Sequence, residues 1–490
     1  MKNRHTPDMR VLARRAVGEA GFDPDFPAEV TRELSEIERA GERAVPDSSV
    51  RDLRGLLWSS IDNRESRDLD QVEYAERGAG GYRVLVGIAD VDAFVPKGSA
   101  VDRHAAVNTV SVYTPAEVFP MLPERLSTDL TSLVEGEDRL AVVMELSVTE
   151  GGDISSKQVY RAVVHNRAKM DYESVGAWLE GRANAPDVVG RVPGLEAQVR
   201  LQDEIARALH ELRRRNGALE LETTEAVPVV VDGKVTEIDV RRHNRAQDII
   251  ESLMVAANTS MAELLEADGV PSLRRVVRAP ERWPRIVETA AALGEHLPDV
   301  PDPRALSDFM QRRRAADPAG YAELSLAILK MLGPGDYLVE APGLEQEGHF
   351  GLAVHDYTHS TAPNRRFPDL VTQRCLKSVA ATPSAGAPYT REELEAIAEH
   401  CNKMESAARK VERLMRKVAG AVLLSEHVGE TFDAIVTGAN EKGTFARLIH
   451  PLAEGRIVRG EEGLDVGDRV RVRLLSTDAN RGFIDFARAR

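Results

Sequence analysis

Three aspartates stand within nine residues in the stretch Asp62-Asn63-Arg64-Glu65-Ser66-Arg67-Asp68-Leu69-Asp70, and Gln71 follows at once. Carboxylates held this close repel one another unless a cation lies between them, and hard oxygen ligands suit Mg2+ or Mn2+. Asp68 and Asp70 are two apart, so an extended chain sends both side chains to one face. Asp62 follows the apolar, strand-like run Leu56-Leu57-Trp58-Ser59-Ser60-Ile61, and a reversal after it would bring it back beside them. A solvated acidic turn is the plain alternative. A calcium loop of EF-hand type is excluded: it needs an oxygen ligand at its third position and glycine at its sixth, where Arg64 and Arg67 stand.

A second constellation lies some 300 residues on. Gly348-His349-Phe350-Gly351-Leu352 leads through Thr358, Ser360 and Thr361 to Pro363-Asn364-Arg365-Arg366, and then to Phe367-Pro368-Asp369 at the start of a helix. Backbone N–H groups at a helix start, hydroxyls and guanidinium forks together make a phosphate clamp. Arginine also stabilises the charge that develops when a phosphodiester is cleaved. For an isolated Arg-Arg pair, an ordinary surface salt bridge is the competing explanation.

The elements that must position these groups are legible in outline. The chain has 490 residues, 42% hydrophobic and 29% charged, enough for two to four domains with sizeable cores. Residues 1–50 read as a helical preface, with helices over Asp8–Glu19 and Ala28–Ala44 separated at Pro24 and Pro27. From Leu56 to about Val148 the pattern is strand-rich, including Tyr82–Ala89 and Leu140–Leu146; Gln158–His165 adds a strand. Ala226–Val235 reads as a hairpin with an Asp232-Gly233 turn. Ala246–Ala267 reads as a helix, helices recur from Pro368 to Ser425, and Ala380–Pro388 is an expected exposed loop. No apolar run approaches the ~20 residues that span a bilayer, and the first residues have no signal-peptide core. Two cysteines, Cys375 and Cys401, exclude a cysteine zinc site and fit a reducing cytoplasm.

The formal net charge of −15 argues against indiscriminate nucleic-acid binding, yet it does not exclude a basic channel in an acidic shell. Cys401–Gly420 carries six Lys/Arg against two acids, which suits either such a channel or a solvated helix face. After residue 430 the pattern changes to short alternating strands, Phe432–Val436, Thr444–Ile449, Arg469–Leu474 and Gly482–Phe486. That is the pattern of a small five-stranded barrel of OB type, which binds single strands through aromatic and basic side chains. A small barrel with a protein-binding role is the alternative.

Together the two constellations resemble the RNB family of ribonuclease II and ribonuclease R type enzymes. There a strand ending in I-D is followed by a D-x-D-D quartet, and a G-H-F-G-L … T-S-P-I-R-R-Y-x-D segment supplies an arginine. Ile88-Ala89-Asp90-Val91, Met121-Leu122-Pro123, Ser132-Leu133 and Ile250-Glu251-Ser252-Leu253-Met254 are similar as well. The resemblance implies an α+β catalytic domain at 51–425, a mixed or antiparallel sheet surrounded by helices. It also implies a C-terminal all-β OB-fold RNA-binding barrel at 430–490, after the short helical extension at 1–50. It implies divalent-metal-dependent 3′-to-5′ exoribonuclease activity on single-stranded RNA, releasing nucleoside 5′-monophosphates. Asp62, Asp68 and Asp70 match three of the four acidic positions that hold the metal and position the attacking water. Arg365 matches the arginine on the scissile phosphate. Tyr113 matches the aromatic that packs on the terminal nucleotides. His349, Arg366, Glu251 and Glu412 are the further candidates along the RNA path. The expected cofactor is Mg2+, or Mn2+; no membrane association and no obligate protein partner are expected.

Two departures shape the expectation. The fourth acidic position holds Gln71, whose amide oxygen ligates a metal without contributing charge. Three carboxylates and Arg365 survive, so an active enzyme with altered metal demand is expected; an RNA-binding pseudo-nuclease is the alternative, and a nuclease preferring single-stranded DNA a third. Residues 1–50 are also too few for the cold-shock-type domains of larger family members, so a more open RNA entrance is expected.

Overall fold

In the computed structural model, residues 8–40, 49–222, 224–231, 234–318, 320–341, 347–381, 387–440, 443–465 and 467–489 are described. The strands begin with β1 (Arg51–Asp52), β2 (Trp58–Asp62), β3 (Gln71–Gly78) and β4 (Gly81–Ala89). A short hairpin of β5 (Val112–Tyr113) and β6 (Val118–Phe119) precedes two long strands, β7 (Asp138–Thr149) and β8 (Ile154–Asp171). Among the described residues the main sheet has the order β1-β8-β2-β3-β4-β7. It is mixed, as expected: β3, β4 and β7 are antiparallel neighbours, whereas β8 runs parallel to β2 and antiparallel to β7. By reaching both β2 and β7, β8 curls the sheet round on itself.

The strands follow from their side chains. The second half of β4 is buried on both faces, and Trp58, Ile61, Leu85 and Ile88 sit at 0–1% exposure in the central core. The Trp58 indole N–H donates to the Leu53 carbonyl at 2.9 Å, so a large apolar ring is buried without an orphaned donor. Gly87 makes room for it: a Cβ there would stand 3.1 Å from Val72 and 3.5 Å from the indole. The helices Leu195–Arg215 and Arg245–Ala267 pack together beside this sheet. The second begins one residue earlier than the sequence pattern indicates, because Asn244 and Gln247 form a reciprocal capping box.

At the N-terminus, α1 (Met9–Glu19) starts on an Asp8 cap and α2 (Ala28–Ala40) follows. The expected extension of α2 to residue 44, the Asp232-Gly233 turn and residues 382–386 of the expected linker lie outside the described residues. Met9, Leu12, Ala13 and Val17 of α1 join a cluster with Met404, Val411 and Met415 of the helix Arg391–Leu423, and with Val112 and Phe119 of the β5–β6 hairpin. The preface thus braces the hairpin that carries Tyr113.

The C-terminal segment closes into a barrel of five strands, Thr431–Asn440, Gly443–Leu448, Glu454–Arg459, Arg469–Asp478 and Phe483–Arg488. Glu454–Arg459 is absent from the sequence-based strands: it is short, lacks aromatics and alternates weakly. It closes the barrel by pairing in parallel with Phe483–Arg488. No helix among the described residues is long and apolar enough to cross a membrane.

Two neighbours on α1 test the brace. Met9 is fully buried and Val11 is 65% exposed. Met9→Ala is expected to cost about 2–5 kcal/mol in urea unfolding, whereas Val11→Ala stays within about 0.5 kcal/mol of the parent.

Candidate active site

Where β2 ends, Asp62 folds its own turn: one carboxylate oxygen accepts from the Asn63 N–H at 2.7 Å and from the Ser66 hydroxyl at 2.9 Å. Residues 66–70 are not in a strand, which corrects the expectation that Asp68 and Asp70 share a face of extended chain. The segment is instead clamped through Ser132. The Leu69 N–H donates to the Ser132 oxygen at 2.9 Å, the Ser132 hydroxyl donates to the Arg67 carbonyl at 2.7 Å, and the Leu133 N–H reaches the Leu69 carbonyl at 2.9 Å. Held this way, the two aspartates take different partners. Asp68 stays half-buried and accepts the Tyr113 hydroxyl at 3.0 Å. Asp70 turns inward to 1% exposure.

Asp70 is met there by the second constellation. One oxygen accepts the Asn364 backbone N–H at 3.0 Å and the other accepts Arg365 Nε at 3.2 Å. The loop that delivers them is fixed from several sides. Asn258 accepts from the Ser360 N–H at 3.0 Å and its hydroxyl at 2.8 Å, and Asp369 accepts from the Ala362 N–H at 2.8 Å. The Thr131 hydroxyl donates to the Asn364 side-chain oxygen at 2.5 Å. The chain leaving α3 (Ala100–Asn108) turns through Thr109, at φ +60°, and runs antiparallel to this loop. There the Ser111 N–H meets the Arg365 carbonyl at 3.0 Å and the Phe367 N–H meets the Thr109 carbonyl at 2.8 Å. That short ladder sets Tyr113 beside Arg365.

Burial dominates the electrostatics. It pushes the Asp70 carboxyl up to about 7, against the opposing pull of Arg365 and the Asn364 N–H; Asp68 and Asp369 push the same way as burial. Asp62 is raised too, by burial first, with its Asn63 and Ser66 hydrogen bonds and Arg365 opposing. Glu73 on β3 is raised well above the usual carboxylate range by burial and by Asp62. Arg365 is held in its charged form by Asp70, Asp68 and Asp62 against the cost of burial, and still keeps 43% of its side chain accessible.

The remaining candidates divide. Gln71 opens β3 and is buried at 7% exposure, adjacent to Asp70. Arg366 pairs with Asp369 at 2.7 Å, inside the loop it helps to hold. Glu251 and His349 line a separate cavity of about 900 Å3 with Arg213, which stands 3.8 Å from Glu251. The His349 ring accepts the Leu352 N–H at 3.1 Å, and burial pushes its pKa down to about 4, so it is neutral at pH 7. Glu412 lies half-buried on the helix Arg391–Leu423. Sequence reasoning missed Ser132, Asn364 and Tyr172. Tyr172, at the first turn of α4 (Tyr172–Leu179), lies in the field of Asp62, Glu73 and Arg365. Backbone and hydroxyl donors of this kind leave no periodic signal. Glu73 did leave one, as an acid at a buried position of a strand.

The donor set suits a hard divalent cation: carboxylates, an amide oxygen and one buried carboxylate, that of Glu73, with neither oxygen hydrogen-bonded. The aspartate trio is not fully drawn together. Among the described residues the three acids whose oxygens lie within 4.8 Å of one another are Glu266, Glu340 and Asp356. Asp62 is tied to its own turn, Asp68 to Tyr113 and Asp70 to Arg365.

A pH dependence follows. A carboxyl whose folded pKa is raised gives its full stability contribution below its unfolded value near 4, and that contribution is lost as pH rises through its folded value. For Asp70 the folded value is about 7. In chelator, the contribution of Asp70 to Tm should therefore decline between about pH 4 and 7, read as the difference between the parent and Asp70→Asn. Parallel profiles for the two proteins would contradict the assignment.

The RNB domain model matches residues 50–382, and the model of the RNase II-type exonuclease C-terminal S1 domain matches residues 430–489. The chain is similar to Ribonuclease R 1 of Lactococcus lactis, 29% identical over 531 residues, covering 98% of this chain and 64% of that protein. It is 30% identical over 503 residues to Ribonuclease R of Vibrio parahaemolyticus, covering 94% and 58%. The chain thus spans about three fifths of the length of these curated relatives. Its fold matches Mycoplasma genitalium RNase R, solved in complex with ribose methylated single-stranded RNA, at a TM-score of 0.87 and 24% identity over 98% of this chain and 78% of that one. With the carboxylate turn and the arginine loop meeting inside the matched region, the chain belongs to the RNB domain family, with an RNase II-type S1 barrel at its C-terminus.

Proposed function

We propose that this chain is a divalent-metal-dependent exoribonuclease that degrades single-stranded RNA from its 3′ end and releases nucleoside 5′-monophosphates. The meeting of Asp62, Asp68 and Asp70 with Arg365 beside an accessible Tyr113 carries the reading. Asp62, Asp68 and Asp70, with Gln71, are the residues that would hold Mg2+ or Mn2+. When bound, the cation would supply activation of water and stabilisation of the leaving 3′-oxygen.

The chain's own groups do the rest. Arg365, anchored through Nε to Asp70, offers its accessible side chain to the scissile phosphate and stabilises charge as the bond breaks. Tyr113 is 40% exposed with its hydroxyl fixed on Asp68, so its ring stacks on terminal bases without reading their identity. Arg366 positions the loop through Asp369. Glu251, His349 and Glu412 belong to the RNA path, and the 430–490 barrel adds outward Arg469, Arg471 and Arg473 and an exposed Phe483 for single strands. Single-stranded RNA is the partner, and the two buried, free cysteines fit a reducing cytoplasm.

A 5′-labelled single-stranded RNA, resolved on a gel with Mg2+ or Mn2+ and with chelator, tests this. A descending ladder dependent on the cation is expected, with no ladder from the deoxyribose version; a single internal band would overturn it. Asp70→Asn should abolish the ladder while RNA binding stays within a few fold of the parent. Arg365→Ala should slow degradation by about 10²–10³-fold. An RNA-binding pseudo-nuclease would show no ladder for the parent protein at any cation concentration.

A further inference from the structure

Gln71 brings an amide where a carboxylate would bring charge, and the same strand holds an acid that no other contact explains. Glu73 lies two residues along β3 from Gln71, so the two side chains leave the strand on one face. Glu73 is 0% exposed, and neither of its carboxylate oxygens has a hydrogen-bond partner. Its neighbours leave polar groups unused as well. Its cross-strand partner on β2 is Ser59, whose hydroxyl oxygen is also unpartnered. Gln202 donates through Nε2 to the Glu73 backbone carbonyl at 3.4 Å, leaving its own Oε1 unpartnered. The charged side chain that acts on Glu73 is Asp62, and its sign is the same.

Buried polar groups are almost always paired, and a carboxylate without a donor is among the least favourable groups to bury. Two acids kept near each other, one of them buried without a hydrogen-bond donor, are an arrangement that a divalent cation stabilises. A glutamate also has one more methylene than an aspartate, which extends its reach back along the strand toward the Gln71 position.

We propose that Glu73, acting with Asp62, is the fourth carboxylate of the metal site and supplies the charge that Gln71 lacks. The cation is then held by Asp62, Asp68, Asp70 and Glu73, a ligand set moved two residues along β3. This rests on the metal-dependent reading above.

Binding of Mn2+ alone to the full chain, without RNA, tests it by titration calorimetry and by melts in chelator and in saturating Mn2+. Glu73→Gln and Glu73→Leu are expected to weaken Mn2+ binding by about 10-fold or more. Both should melt above the parent in chelator, since an unpaired buried acid is gone, yet gain less from Mn2+. Gln71→Asp combined with Glu73→Leu should restore binding to within about threefold of the parent. If Glu73→Gln binds Mn2+ like the parent while Asp62→Asn does not, the metal site stands and the role of Glu73 is overturned. If the parent takes up no Mn2+ at millimolar concentration, the metal-dependent reading itself fails and this one with it.

Discussion

A carboxylate taken out of water needs donors, and Asp70 finds two of them 294 and 295 residues away, at the Asn364 N–H and the Arg365 guanidinium. Neither donor comes from the segment before β3 that presents Asp70, so the site exists only when that segment and the arginine loop are both in place. This explains why so much hydrogen bonding surrounds the loop. Asn258 on one helix, Asp369 on another and Thr131 beside Ser132 each fix a different point of it. The same logic explains the ladder between residues 109–111 and 365–367, which couples the position of Tyr113 to that of Arg365. Charge placement here is a property of packed elements, not of a flexible loop, and preorganised charge is what phosphodiester chemistry requires.

That arrangement is unfavourable without its ligand. Asp62, Asp70 and Glu73 are all raised by burial, so the carboxyls hold protons more tightly than they would in water. A cation held by these residues would displace those protons and replace repulsion with coordination. The stability of the fold comes from elsewhere, including the fully buried Trp58, Ile61 and Leu85 of the central core. The N-terminal helix α1 plays a comparable part from the other side, since it packs under the hairpin bearing Tyr113.

Much of this was legible in the sequence, for physical reasons that differ by element. The acids and the arginine pair, each of which alone also fits an acidic turn or a surface salt bridge, stood out because together they resemble the two motifs of the RNB family. The long strands and helices were legible from periodicity. The conformation of residues 66–70 was not legible, because a serine clamp more than 60 residues away overrides the local extended pattern. Asn364 was missed for the same reason: what it contributes to Asp70 is a backbone N–H, which carries no residue identity. The barrel strand Glu454–Arg459 was missed because it is short, lacks aromatics and alternates weakly, and one of its two partner strands, Phe483–Arg488, lies beyond any local window.

The central claim is that water, activated at this carboxylate site, attacks a terminal phosphodiester facing Arg365. Digestion of single-stranded RNA in 18O-enriched water, followed by mass spectrometry of the released nucleotides, tests that claim most directly. The account predicts nucleoside 5′-monophosphates carrying one 18O atom on the phosphate. Unlabelled nucleosides with cyclic phosphate left on the remaining strand would mean that the 2′-hydroxyl is the nucleophile, and would contradict it.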